Sequence, residues 1–122
     1  MGDPAGIGPE IIVKTLQEMS PDSRSRSIVI GNIDVLDRAS RMIGAKLKFS
    51  DSLSVEVGVV PVVHVPTSES SAIKDGEISA SAGEAAYRYV KRAAELSLDK
   101  LIAVIVTACL LYTSDAADDT PC

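Results

Sequence analysis

The chain opens with MGDPAGIGPE, residues 1–10, a glycine-rich stretch that leads directly into a helix start. Pro9 suits the first helical position, and the charge of Glu10 suits the positive N-terminal end of a helix. Gly6 and Gly8 can adopt positive φ and so let the backbone approach a ligand closely, while the N–H groups of a helix start attract an anion or a polar ligand edge. The spacing alone gives equal weight to a tight turn whose glycines serve only packing.

Two familiar phosphate-binding templates do not fit this turn. The dinucleotide fingerprint needs glycine or alanine at position 11, which is Ile11, and the P-loop needs a Gly-Lys-Ser/Thr ending that is missing here. The turn therefore has to be interpreted from its surroundings.

Helical and strand patterns alternate along the rest of the chain. Helices are predicted at 9–19, 33–43 and 82–97, and strands at 27–31, 45–49, within 55–65 and at 101–107. Asn32 is predicted to cap the second helix, Gly44 to end it, and Ser81 with Glu84 to form a capping box for the third. This order predicts an α/β fold in three layers with a mostly parallel sheet, in which 27–31 and 101–107 lie side by side.

Composition narrows the class of protein. The chain has 122 residues, enough for one small domain, and only 3% aromatic residues, which favours aliphatic α/β packing. A net charge of −5 without a basic patch argues against nucleic acid as a partner. The sequence shows no membrane-spanning run, so we expect no membrane partner and a cytoplasmic protein. Both cysteines fall in 109–122, so we expect no disulfide framework.

Two segments carry a resemblance to a known family. MGDPAGIGPEI resembles the signature opening of the 4-hydroxythreonine-4-phosphate dehydrogenase family of vitamin B6 synthesis, which includes a D-threonate/D-erythronate 4-phosphate branch. GEISASAGEAAYRYVKRAAELSLDKLIAVIVTA, residues 76–108, is similar to a second segment of that family, and SIVIGN between them fits its second strand. The resemblance covers residues 1–108, about the first third of a full-length member, and implies part of an isocitrate/isopropylmalate dehydrogenase-like fold.

The resemblance also implies a site. By that likeness the cofactor, NAD or NADP, borders five residues of the opening turn: Asp3, Ala5, Gly6, Ile7 and Gly8. Thr107 is expected at the carboxyl edge of its strand, facing the substrate cleft. The family's divalent metal (Zn, Mg or Co) is held by three histidines that this chain lacks, so no metal ligand is expected here, and full-length members are expected to be homodimers.

The single histidine and Tyr89 have simpler interpretations. His64 lies in the apolar stretch VVHVP, where a structural histidine is favoured over a ligand. Tyr89 falls on the alanine-rich packing stripe of the third long helix, and core packing is its expected role.

The activity implied by the resemblance is the oxidation of 4-phosphohydroxy-L-threonine with subsequent decarboxylation. One alternative is a dehydrogenase of D-threonate or D-erythronate 4-phosphate, because both branches share the two motifs. Another, from a different class, is a non-catalytic phosphate- or nucleotide-binding module. We expect the 122-residue chain by itself to be inactive.

The family pattern stops after Ala108. There it calls for Pro, an aliphatic residue, Asn or His, and Lys, whereas CLLYTSDAADD follows and resembles the translation of a sequencing adapter. The expectation is a domain 1–108 and a non-native tail 109–122, with a natural divergent loop as the alternative. In the same view Met1 is the last residue of a first strand that the family has and this sequence lacks.

Overall fold

The computed structural model describes residues 1–53, 56–66, 74, 76–77 and 79–108. Its elements in chain order are α1 (Gly8–Glu18), α2 (Pro21–Ser25), β1 (Val29–Gly31), α3 (Ile33–Met42), β2 (Lys48–Ser50), β3 (Val59–His64) and α4 (Ala80–Leu98). The predicted long helices and the strand at 27–31 are confirmed, with shifted ends. The predicted tail 109–122 lies outside the described residues.

The three strands form one parallel sheet in the order β1-β3-β2. Val29 is in register with Val62, and Lys48 is in register with Val59. The helix α3 connects β1 to β2, and a parallel sheet with helical connections is typical of α/β architecture, so the predicted fold class is confirmed. The carboxyl ends of all three strands meet at one edge, which is the edge where such sheets bind ligands.

The core is aliphatic and closely packed. Four aliphatic residues are completely buried: Val13, Leu36, Val60 and Val62. Tyr89 is only 1% exposed. Truncating a side chain such as Leu36 to alanine removes packing that is not recovered, at a cost of about 2–5 kcal/mol. Alanines form most of the buried stripe of α4, so this helix can lie close to the sheet.

The ends of α3 follow the sequence prediction. The Asn32 side chain accepts hydrogen bonds from the backbone N–H groups of Asp34 at 2.9 Å and Val35 at 3.4 Å. Gly44 follows the helix with φ of 69°, a conformation that glycine adopts at little cost. Cap and stop together fix where α3 begins and ends.

The start of α4 differs from the prediction. Ser79, not Ser81, is the N-cap: its backbone is extended, and its side chain accepts a hydrogen bond from the N–H of Ala82 at 3.1 Å. The predicted capping box is wrong because serines recur every second residue here, so the spacing to Glu84 did not identify which serine has the extended backbone.

The predicted strand at 101–107 is also wrong in this structure. No strand is formed there, and Leu101, Val104 and Val106 are 64%, 76% and 87% exposed. A β-branched run becomes a strand only when a neighbour about 4.8 Å away pairs with its backbone. A cavity lies between these residues and β1, so within the described ranges no strand is close enough to pair with them.

Candidate functional site

The glycine-rich turn is held by its own backbone and by Asp3. A carboxylate oxygen of Asp3 accepts a hydrogen bond from the N–H of Ala5 at 2.8 Å, and the Asp3 carbonyl accepts one from the N–H of Gly6 at 3.1 Å. Asp3 is only 5% exposed. Its carboxylate therefore shapes the turn and offers little surface to a ligand.

The glycines of the turn serve different purposes from those expected. Positive φ occurs at Gly2, with 77°, and not at Gly6 or Gly8. Gly8 is instead a site of close approach, because a Cβ there would stand 2.7 Å from the carbonyl oxygen of Met1 and 3.3 Å from the Cβ of Ala108. The protein's own backbone, rather than a ligand, occupies the space that a side chain at Gly8 would need.

The exposed part of the turn is the start of α1. Ile7 is the N-cap residue, makes no side-chain capping bond and is 46% exposed, and Gly6 before it is half-buried. An uncapped helix start presents backbone N–H groups and the positive end of the helix dipole. Among the residues predicted to border the cofactor, Gly6 and Ile7 offer surface, whereas Asp3, Ala5 and Gly8 are buried and support it.

A distant part of the chain also reaches this turn. The backbone N–H of Gly76 donates a hydrogen bond to the Ala5 carbonyl at 2.6 Å, and Gly76 has φ of 78°. The sequence analysis assigned no role to Gly76. A glycine in a polar loop was the available signal, but it did not reveal which backbone the loop would meet.

Thr107 reaches the same region without being in a strand. Its side chain is exposed, and its neighbour Ala108 approaches Gly8 of the turn. The structure therefore brings the predicted substrate residue to the border of the predicted cofactor turn.

A second group of polar residues follows the ends of the three strands. The Nδ1 atom of His64 accepts a hydrogen bond from the N–H of Ile33 at 3.1 Å, at the start of α3. The backbone N–H of His64 donates to a carboxylate oxygen of Asp51 at 3.3 Å. These bonds tie β3 to α3 and to the end of β2, which confirms the prediction of a structural histidine.

Comparison with known proteins identifies the group to which this arrangement is related. D-threonate 4-phosphate dehydrogenase of Cupriavidus necator is 36% identical over 121 residues, covering 88% of this chain and 34% of the relative. The 4-hydroxythreonine-4-phosphate dehydrogenase of Trichlorobacter lovleyi is 32% identical over 114 residues, with 88% and 34% covered. The crystal structure of 4-hydroxythreonine-4-phosphate dehydrogenase from Klebsiella pneumoniae superimposes with a TM-score of 0.78 at 36% identity, covering 91% of this chain and 35% of that one.

The chain is related to the 4-hydroxythreonine-4-phosphate and D-threonate 4-phosphate dehydrogenases. The predicted resemblance is thus confirmed by sequence and by structure. The chain spans about a third of the length of these curated relatives. No protein-family profile matches it.

The metal implied by the resemblance to these dehydrogenases does not fit the residues at hand. Within the described ranges, no three His, Cys, Asp or Glu side chains are grouped so that they could hold a metal ion. His64 already uses Nδ1 in a backbone hydrogen bond. In the same part of the chain, no helix is long and apolar enough to cross a membrane.

Two buried polar groups at the turn were missed as site features by the sequence analysis. The Tyr89 hydroxyl is buried and has no hydrogen-bond partner among the described residues. Burial raises its pKa, and the nearby Asp3 carboxylate raises it further. Burial also lowers the pKa of the Met1 amino group to about 6. In the sequence, Tyr89 could have been noticed as a polar hydroxyl on the alanine-rich packing stripe of α4.

Proposed function

We propose that this chain is part of an NAD- or NADP-dependent dehydrogenase that oxidises a small hydroxy acid phosphorylated at carbon 4. The observation that carries the proposal is the uncapped start of α1, exposed at Gly6 and Ile7 and bordered by Thr107. Relatives that share 32–36% identity over 88% of the chain are named as dehydrogenases of such acids.

The two relatives point to closely similar substrates. Both named substrates are four-carbon acids with a phosphate on carbon 4, and they differ at carbon 2, which carries an amino group in 4-hydroxythreonine and a hydroxyl in threonate. In either case a nicotinamide cofactor would supply the acceptor for the hydride of carbon 3, and the hydroxyl proton would leave to solvent or a base. The resulting 3-oxo acid then loses its carboxyl group as CO₂.

The residues described here would act on the cofactor side of this reaction. The backbone of Gly6 and Ile7 would contact a polar edge of the cofactor, and Asp3, Ala5 and Gly8 would keep that backbone in place. Thr107 would lie towards the substrate. The resident divalent metal belongs to residues outside this set, and in this proposal the whole enzyme is a cytoplasmic homodimer.

A pair of matched substitutions tests the role of the turn. Ile7 and Ile11 are similarly exposed, at 46% and 45%, and lie one turn apart at the start of α1. In the full-length enzyme, Ile7→Asp places a negative charge at the helix start, where the cofactor would approach, whereas Ile11→Asp adds the same charge beyond the helix start.

We expect Ile7→Asp to raise the KM for NAD at least tenfold, with thermal stability kept or increased, and Ile11→Asp to change KM less than twofold. Activity with either 4-phosphorylated acid, followed through NADH absorbance, supports the proposed reaction. Equal KM values for the two variants would contradict the placement of the cofactor. A full-length protein that reduces neither NAD nor NADP with these acids would contradict the activity.

A further inference from the structure

One peptide group of the glycine-rich turn is held by hydrogen bonds at both of its ends. The carbonyl of Ala5 and the N–H of Gly6 belong to the same planar peptide unit. The carbonyl accepts a hydrogen bond from the N–H of Gly76 at 2.6 Å, and the N–H donates to the carbonyl of Asp3 at 3.1 Å. Because a peptide unit is rigid, bonds at its two ends fix its orientation.

This restraint matters because the neighbouring backbone has little rigidity of its own. Gly6 has no Cβ, so its φ and ψ are less restricted than those of other residues. Ile7 makes no side-chain capping bond at the start of α1. The orientation of the backbone at Gly6 and Ile7 therefore depends on hydrogen bonds supplied by other parts of the chain.

Gly76 is itself placed by a four-residue turn. The N–H of Glu77 donates to the carbonyl of Lys74 at 3.2 Å, which closes the turn and makes Gly76 its third residue. The φ of Gly76 is 78°, as is typical of glycine at this position. A Cβ on Gly76 would meet no atom of the described residues within 4 Å, so packing does not require glycine here. The backbone conformation that directs its N–H to Ala5 does.

The start of α4 anchors this turn to the core. Only two residues separate Gly76 from Ser79, the N-cap of α4. The Ser79 side chain accepts a hydrogen bond from the N–H of Ala82 at 3.1 Å, and its carbonyl accepts one from the N–H of Gly83 at 3.0 Å. Further along α4, Tyr89 is buried in the core. A well-anchored helix start therefore holds Gly76 close to the glycine-rich turn.

We propose that Gly76 is a positioning residue for the cofactor: its backbone N–H, acting through the Ala5 carbonyl, orients the exposed start of α1. This inference rests on the proposed function, in which the backbone of Gly6 and Ile7 contacts the cofactor. Gly76 contributes no chemistry of its own. It keeps the contacting backbone in the binding orientation before the cofactor arrives, which reduces the ordering that binding would otherwise require.

Gly58 provides a matched control for this role. The N–H of Val59 donates to the carbonyl of Glu56 at 3.2 Å, so Gly58 is also the third residue of a four-residue turn. Its φ is 81°, and a Cβ there would likewise meet no described atom within 4 Å. Valine is strained at such a φ, so substitution costs similar backbone strain at both positions. Of these two turns, the one that contains Gly76 donates the hydrogen bond to Ala5.

The experiment compares Gly76→Val, Gly76→Asn and Gly58→Val with the unsubstituted full-length enzyme. Asparagine keeps the backbone N–H and adopts positive φ more readily than valine does. The measurements are the Kd of NADH and of NADPH by fluorescence titration, the KM of the 4-phosphorylated acid, hydrogen exchange of the Gly6 amide without cofactor, and the melting midpoint. Gly76→Ala and Gly58→Ala give the same comparison with a milder change if a valine variant does not fold.

We expect Gly76→Val to raise the cofactor Kd about tenfold and to speed exchange of the Gly6 amide by about the same factor, with the KM of the acid changed less than about twofold. Gly76→Asn should recover most of both effects, because it can keep the hydrogen bond. Gly58→Val should lower the melting midpoint by a similar amount while leaving the Kd and the Gly6 exchange rate unchanged.

Three results would overturn the proposal. Equal cofactor Kd values for Gly76→Val and Gly58→Val would show that the bond to Ala5 serves stability alone. Unchanged exchange at Gly6 would show that Gly76 does not hold this peptide unit, and an asparagine variant as weak as the valine variant would exclude the hydrogen bond as the cause. If the unsubstituted enzyme bound neither NADH nor NADPH, the proposed function itself would be wrong, so the unsubstituted enzyme distinguishes the two failures.

Discussion

Acetylation of the Met1 amino group is expected to stabilise the 122-residue chain more at acid pH than at alkaline pH. Burial lowers the pKa of this group from 8.0 to about 6. Between these two values the unfolded chain binds a proton that the folded chain does not. The free-amine chain therefore gains stability as pH rises through this window and loses it as pH falls.

The magnitude follows from the size of the shift. Two pKa units at about 1.4 kcal/mol each correspond to roughly 2–3 kcal/mol of stability, which the free-amine chain has above about pH 8 and has lost completely below about pH 6. An acetylated chain has no such titration. The acetyl group also fills part of the cavity beside Ile30, but that contribution is the same at every pH. All other titrating groups are shared by the two chains and cancel in the difference.

The assay is denaturant unfolding of both chains at about pH 5, pH 7 and pH 9, with mass spectrometry to confirm that Met1 is retained. The stability difference between acetylated and free chains should be roughly 2–3 kcal/mol larger at the lowest pH than at the highest. For a domain of this size each kcal/mol moves the melting midpoint by about 4 °C. A difference that stays constant across this pH range would refute the burial of the amino group.

Three other outcomes are expected. Gly8→Ala should destabilise the chain by about 1–3 kcal/mol, because its Cβ would stand 2.7 Å from a backbone oxygen, and an unchanged unfolding midpoint would contradict this packing. His64→Leu should lower the free energy of unfolding by about 1–3 kcal/mol, because it leaves the Ile33 N–H without its acceptor. His64→Asn should recover most of this loss, because its amide oxygen can take the place of Nδ1. Equal losses in the two variants would argue against the hydrogen bond. The 122-residue chain should produce no NADH from 4-phosphohydroxy-L-threonine with NAD and a divalent metal, because its described residues hold no three-ligand metal cluster. Metal-dependent NADH production would disprove the proposal that the metal is held by other residues.

The sequence by itself determined the local structure of this protein. Periodic apolar positions placed the long helices, and Asn32 and Gly44 marked the limits of α3, because a helix cap depends on a few adjacent residues. The alternation of helices and short aliphatic strands was enough for the α/β class. The opening turn was also recognisable, since Pro9 and Glu10 carry helix-start signals in their own chemistry.

Tertiary structure decided which of these local signals were used. The run 101–107 has the composition of a strand but lies beside a cavity, because strand formation depends on a partner that no local pattern supplies. Gly8 is required by the approach of residues 1 and 108, one of them a hundred positions away, and not by its own φ. The Tyr89 hydroxyl was placed beside Asp3 and the cavity only when α4 packed against β1. Such contacts bring together distant parts of the chain, and their consequences for charge and hydrogen bonding exist only in the folded state.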